Sequence, residues 1–451
     1  MRTPLYNALK RYAAEGGARL HMPGHKAAST FLRAFPGAEL DITELGFSDD
    51  VHAPAGVIAR AQQLAAQQLG CDSVIFGTAG STTLIHIMVY AASKLGKKLL
   101  IQRNSHRSVY SACRLFGVNP VIIGEGALTA QELTQTLRRG PDIGAVLLTY
   151  PDYYGNTLDI AEAAQAVKAE GRLMLCDGAH SAHFCYCELL PAAAQHHCDM
   201  TALSGHKTLP ALTPGTYLCT NGGRAGELAR QAFLLLHTSS PSYPIMASLD
   251  WAREYMRKNG HKKLQELHDF TRKLKERLRG SSVIIADNAD FTRLCVDISA
   301  LSLTQARVDN VLKSCGVTAE ICTPEMLVFI LTAADSKSNL SAAARVLQRL
   351  ADMPKGRKRS VAVPQTPPVR VMEYLEAAEA DSVLCPLEQS AGRVLAKDIG
   401  FYPPGTPTVA AGELMDESWL SYLIPARKRL FGLENGCVYV IQNSQQIKNS
   451  D

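Results

Sequence analysis

Between about Gly56 and Thr220 the chain alternates short β-rich apolar runs with amphipathic stretches of helical period, and this alternation limits the fold more than any other feature of its 451 residues. The runs are "SVIFG", "KLLIQ", "PVIIG", "GAVLLTY", "RLMLCD", "MTALS" and "TYLCT", and between them lie segments such as "VIARAQQLAAQQLG" and "DIAEAAQAVKAEG". Strands apolar throughout need cover on both faces, and intervening helices supply it. The pattern predicts an α/β fold whose large domain is a mostly parallel sheet with helices on both sides.

From "LDWAREYMRKNGHKKLQELHDFTRKLKERLRG" a long helix leads into a second block. There "SVIIAD", "TRLCVDI" and "MLVFILT" alternate with the helical "TQARVDNVLKSC" and "NLSAAARVLQRLA", which predicts a smaller α/β domain. The stretch "DMPKGRKRSVAVPQTPPVR" reads as a linker, and the compact tail after it, with its own helix and Pro-Gly turns, as a short α+β domain. The expected division is an N-terminal segment 1–55, a large domain 56–255, a small α/β domain 256–353, a linker 354–370 and a C-terminal domain 371–451.

A net charge of +5, from 47 basic and 42 acidic residues, is thin over this length and gives no reason to expect nucleic acid. The basic run Lys355–Arg359 falls in the linker, where a solvated stretch is the simple reading. No apolar segment has signal-peptide or membrane-spanning character, so a cytoplasmic protein without a membrane partner is expected. In that compartment the twelve cysteines are expected as thiols. The cluster His180, His183, Cys185, Cys187, His196, His197 and Cys198 raises zinc. However, Cys185 and Cys187 point to opposite faces if extended, and buried thiols with surface histidines account for the cluster; no metal is expected.

Open α/β sheets bind ligands at the carboxyl ends of their strands. After "SVIF" a turn of small residues enters a helix, where Gly80, Ser81 and Thr82 offer N–H groups and hydroxyls to an anion, although ordinary helix capping uses the same residues. "LMLCD" ends on Asp177, a carboxylate able to pair with a protonated ring nitrogen or to cap a turn. "MTALSGHK" delivers Lys207 one crossover later, flanked by Ser204 and His206. His106, after "KLLIQ", offers a flat ring for stacking. A phosphate cradle, a strand-end carboxylate, a lysine and a stacking histidine together match the needs of pyridoxal 5'-phosphate (PLP), with Lys207 as the Schiff-base nucleophile.

"HMPGHK", "LDITELGFSDDVHAPAGVI", "FGTAGSTT", "RNSHRS", "YPDYYGNTLDI", "DGAHSAHF", "SGHKTLPALTPG", "SSPSYPIMASLDWAR" and "YPPGTP" occur in an order and at spacings that resemble the Orn/Lys/Arg decarboxylase family of fold-type-I PLP enzymes. The likeness covers nearly the whole chain and is to the shorter bacterial members without an N-terminal wing domain. It implies decarboxylation of arginine, lysine or ornithine to an amine, feeding polyamine metabolism, by a homodimer with shared active sites. It further implies that Ala179 and His180 border the cofactor, that Ser204 and His206 reach its phosphate, that Ser240 reaches the partner subunit's cofactor phosphate, and that residues 1–55 shape the entrance. Proton donors to the product carbon are sought among His206, Lys207 and Cys322, and readers of the substrate's distal cation among Glu320, Glu413 and Tyr402. Ala79, Ser181 and Thr213-Pro214 depart from the family pattern.

Two other classes share these residues. An aminotransferase or carbon–sulfur lyase would keep the cofactor groups, and an aminotransferase would add an arginine for the α-carboxylate, for which Arg293 is the candidate unless it is a solvated strand residue. A non-catalytic relative would be expected to lack Lys207 or Asp177, and both are present.

Overall fold

The computed structural model describes residues 2–124, 128–356 and 363–442; part of the basic run Lys355–Arg359 and the last residues of the C-terminal domain lie outside them. Seven strands follow in chain order: β1 (Ser73–Gly77), β2 (Lys98–Gln102), β3 (Asn119–Ile123), β4 (Ile143–Thr149), β5 (Leu173–Gly178), β6 (Met200–Ser204) and β7 (Thr216–Thr220). Each coincides with an apolar run of the sequence to within a residue. The chain divides into two compact units, one of Met1–Met88, Tyr150–Gln165 and Met174–Lys358, the other of Val89–Thr149, Ala166–Leu173 and Arg359–Asp451.

In the first unit β5 and β6 are parallel, with Asp177 opposite Ala202 and Gly178 opposite Leu203. β7 runs antiparallel to β6, pairing Thr216 with Ser204, and β1 antiparallel to β7, pairing Gly77 with the same Thr216. The ends of β1 and β6 and the start of β7 therefore lie in one row, beside the end of β5. β7 breaks the parallel pattern for a physical reason. Only the four-residue helix Gly205–Thr208 interrupts the loop from β6, and a parallel return needs a crossover of a dozen or more residues.

A helix of 36 residues, Tyr243–Leu278, begins before the helical pattern read from Leu249, with Pro244 in the first turn, where its missing N–H has no helical partner to lose. It leads to β8 (Ile284–Ile285), β9 (Arg293–Asp297), β10 (Ile321–Cys322) and β11 (Met326–Ile330), a sheet of order β10-β11-β9-β8 that is antiparallel throughout. Helices Gln305–Ser314 and Lys337–Ala351 belong to the same block.

In the second unit β3 and β4 flank β2 in parallel. Its carboxyl-terminal part forms small antiparallel sheets around a core of Leu387, Leu395, Val409, Met415, Trp419 and Val440. No helix among the described residues is long and apolar enough to cross a membrane.

One buried histidine holds the turn after β1. His237 Nε2 accepts the Thr78 N–H at 3.1 Å, its Nδ1 bonds the Thr238 carbonyl at 3.1 Å, and Phe233 stacks on the ring at 4.3 Å. Burial, only partly opposed by the Thr238 bond, lowers its pKa from 6.5 to about 4. Between those values the unfolded chain binds the extra proton, so stability falls as pH drops from 6.5 toward 4. The expected loss from this residue is on the order of 3 kcal/mol in urea unfolding. His237→Gln should flatten that limb; an equally steep limb in the variant would remove His237 as its cause.

Candidate active site

Lys207 stands in the short helix that continues β6, and its surroundings suit an amine rather than an ammonium. Burial lowers its pKa; the charges of Asp177 and Glu320 oppose this and that of Arg293 assists it. Its Nζ lies 3.3 Å from His180 Nε2. Asp177, at the end of adjacent β5, is 6% exposed; its Oδ1 accepts the Ala179 N–H at 3.2 Å, and it forms no salt bridge among the described residues. Ser204 Oγ and Thr208 Oγ1, on either side of Lys207, are buried without a hydrogen-bond partner.

Past β1, the helix Gly80–Ser93 opens as expected, with Gly80 at φ +79°. The Gly80 N–H donates to the Pro214 carbonyl at 3.1 Å, so Gly80 contributes the turn rather than a free amide. This main-chain bond fastens the loop after Lys207 to the turn after β1. Ser81 is half-buried and Thr82 exposed at the helix start. His206 Nδ1 lies 2.9 Å from the Gly215 carbonyl, to which it donates, and burial holds its pKa below the ordinary value. The neutral ring therefore keeps Nε2 as an acceptor.

Further side chains of the same unit converge on His180. Tyr153 meets its ring edge-on at 5.3 Å and donates its hydroxyl to Glu320 Oε1 at 2.8 Å. Arg293 is 1% exposed, which overturns the solvated reading, and its Nη2 is 3.0 Å from His180 Nδ1. Tyr153 and the Arg293–His180 contact escaped sequence reasoning; the only signal was "YPDYYGNT", a motif without an assigned role. Glu320 is exposed and stays a candidate reader of a cation. Cys322 donates its thiol to Asp309 at 3.3 Å, and burial with that bond raises its pKa to about 11, which makes it a poor proton source. Ser240 is exposed, its N–H bonded to Thr238 Oγ1 at 3.2 Å.

The second unit holds His106, Tyr402 and Glu413. His106 caps the helix Arg107–Phe116: its Nδ1 accepts the Ser108 N–H at 3.2 Å and lies 2.8 Å from Ser108 Oγ. Gly405, at φ +91°, approaches so closely that a Cβ there would lie 2.9 Å from His106 Nε2. Tyr402 is 57% exposed, and the Arg107 guanidinium lies 5.3 Å from its ring centre. Glu413 requires a correction. It is wholly buried, its carboxylate taken by Arg103 (2.7 and 3.0 Å), Arg370 (3.1 Å) and the Ala410 N–H (2.9 Å), so it is a structural ion-pair centre and not a reader of substrate.

Among the described residues no group of three or more His, Cys, Asp or Glu side chains is arranged to hold a metal ion, and the cysteines are free. The residues present do fit PLP. Buried hydroxyls without partners suit phosphate oxygens, a buried carboxylate without a cation suits a protonated ring nitrogen, and a dehydrated amine suits an aldehyde. These groups, at the ends of adjacent strands, are the ones a fold-type-I PLP enzyme requires.

Residues 3–299 match the major domain of Orn/Lys/Arg decarboxylase and residues 357–431 its C-terminal domain. The uncharacterized protein YaaO of Bacillus subtilis is 31% identical over 92% of each chain, and the arginine decarboxylase of that organism 28% identical over 93% of each. The constitutive lysine decarboxylase of Escherichia coli has a similar fold, with a TM-score of 0.80 at 19% identity over 98% of this chain and 82% of that one. The chain belongs to the Orn/Lys/Arg decarboxylase family.

Removing the Glu413 charge leaves two guanidinium groups facing each other in a buried place. Glu413→Gln is expected to destabilise the protein by about 3–5 kcal/mol in urea unfolding. A loss below about 1 kcal/mol would show that the network does not support the unit.

Proposed function

We propose that the protein decarboxylates arginine, lysine or ornithine to the corresponding amine, the class of product from which polyamines are built. One observation carries the reading: in a chain matched to this family over most of its length, a half-buried Lys207, its pKa lowered by burial, follows β6 directly, and a buried Asp177 without a salt bridge stands at the end of neighbouring β5. What PLP supplies when bound is an electron sink for the pair left on Cα as the carboxylate departs as carbon dioxide. Lys207 would hold the cofactor, and Asp177 would keep its ring nitrogen protonated. Ser204, Thr208, Ser81 and Thr82 supply hydroxyl and amide donors for the phosphate. Lys207 is the candidate carrier of the proton that the product carbon gains, whereas neutral His206, its Nδ1 proton spent on the Gly215 carbonyl, offers an acceptor at Nε2. The exposed Glu320, steadied by Tyr153, suits the distal cation of a basic substrate. The stacking role of His106 rests on the family resemblance alone. Arg293 spends only Nη2 on His180 and keeps Nε and Nη1 without partners, so the family match, and not this arginine, favours a decarboxylase over an aminotransferase.

PLP-loaded protein incubated separately with the three amino acids is expected to yield agmatine, cadaverine or putrescine from one of them; no amine from any would sink the proposal. Asp177→Asn is expected to keep bound cofactor while turnover drops by at least about a hundredfold, because an amide does not stabilise the ring proton. Near-normal turnover would remove Asp177 from the reaction.

A homodimer with shared sites is part of the proposal. A Lys207→Ala chain mixed with a chain disrupted at Ser240 would form heterodimers holding one intact composite site. Recovered activity of roughly one quarter of wild type supports sharing. No recovery, with heterodimers present, would confine Ser240 to its own chain.

A further inference from the structure

His180 stands between a permanent donor and the amine of Lys207. The Arg293 guanidinium has no acceptor atom and stays protonated at any working pH, so at 3.0 Å from His180 Nδ1 it donates. That leaves Nδ1 without a proton of its own and puts the proton of the neutral ring on Nε2. Nε2 is the atom 3.3 Å from Lys207 Nζ, and only the uncharged form of Nζ has a lone pair to receive it. The Arg293 charge is buried in the first unit, with Nε and Nη1 lacking any hydrogen-bond partner, a costly arrangement that calls for a reason. Nearby charge comes from Asp290, whose own carboxylate bonds His183 and Thr292. Lys207 is also faced by Asp177 from β5 and Glu320 ahead of β10, which favour its charged form, while Tyr153 meets the His180 ring edge-on and His206 precedes Lys207 in the same helix.

We propose that Arg293 and His180 are positioning residues which fix the Nε2–H tautomer of His180 and thereby hold Lys207 as a free amine ready for an aldehyde. The lowered pKa of Lys207 accords with this geometry. The inference rests on the reading of Lys207 as the cofactor-bearing lysine, and goes beyond it in naming what prepares the amine.

The test is the titration of Lys207 in full-length protein freed of cofactor, read by trace labelling with isotopic acetic anhydride and peptide mass spectrometry across pH. His180→Leu changes no charge and removes the donor to Lys207 together with the acceptor of Arg293 Nη2. It is expected to move the Lys207 midpoint up by about one pH unit, so that reactivity at pH 8 falls roughly tenfold. His180→Gln, whose amide both accepts from Arg293 and donates to Lys207, should stay within about twofold of wild type. Arg293→Met should also raise the midpoint, but by clearly less once His180 is already leucine, since only part of its effect is plain charge repulsion. An unmoved midpoint in His180→Leu, or an equal Arg293→Met shift in both backgrounds, would overturn the relay. If the variants fail to fold, the nitrogen-15 shifts of His180 in the wild type decide: a protonated Nε2 with bare Nδ1 supports the relay, and the opposite tautomer or an imidazolium contradicts it. Added PLP separates the two readings. A visible absorbance band that persists in Lys207→Ala would overturn the lysine assignment itself, whereas a band lost in Lys207→Ala beside an unmoved midpoint would overturn only the relay.

Discussion

Dehydration of a single amine is the constraint on which the site depends. A lysine in water holds its proton far above neutral pH and is a poor nucleophile; Lys207 is half-buried just past the end of β6, and burial is the largest influence on its pKa. The strands make this possible. Pairing Ser204 and Gly77 to the same Thr216 brings the loops after β6 and β1 to one row, where the Pro214 carbonyl takes the Gly80 N–H. Asp177 joins from the end of β5, near enough for its charge to act on the amine yet without forming an ion pair that would return the lysine to its charged form.

The second unit uses charge in the opposite way. Around Glu413, acid and base are fully engaged with one another, Arg103 and Arg370 binding one buried carboxylate. Such a centre fixes chain segments and offers nothing to a solute. The contrast with Glu320, exposed and held by one phenol, separates an acid that builds the fold from one left open to solvent.

The strands were legible because apolar runs mark buried strands directly, and so were the positions of Asp177, at the close of one run, and of Lys207, three residues past another. Strand direction was not legible: "TYLCT" reads alike in either sense, and the short loop before it made β7 antiparallel. Nor does a hydrophobic pattern show where a charge is buried. Arg103 and Glu413 lie 310 positions apart, and Arg293 and His180 lie 113 apart, so each looks like an ordinary surface residue until the fold brings its partner close. The free amide expected from Gly80 failed for the same reason, since its acceptor is the carbonyl of Pro214.

The central claim is that Lys207 carries the cofactor, and borohydride tests it most directly. Protein loaded with PLP, reduced and digested, should carry the pyridoxyl mass on the peptide containing Ser204–Thr208, localised by fragmentation to Lys207. That mass on a different lysine, with Lys207 unmodified, would contradict the account.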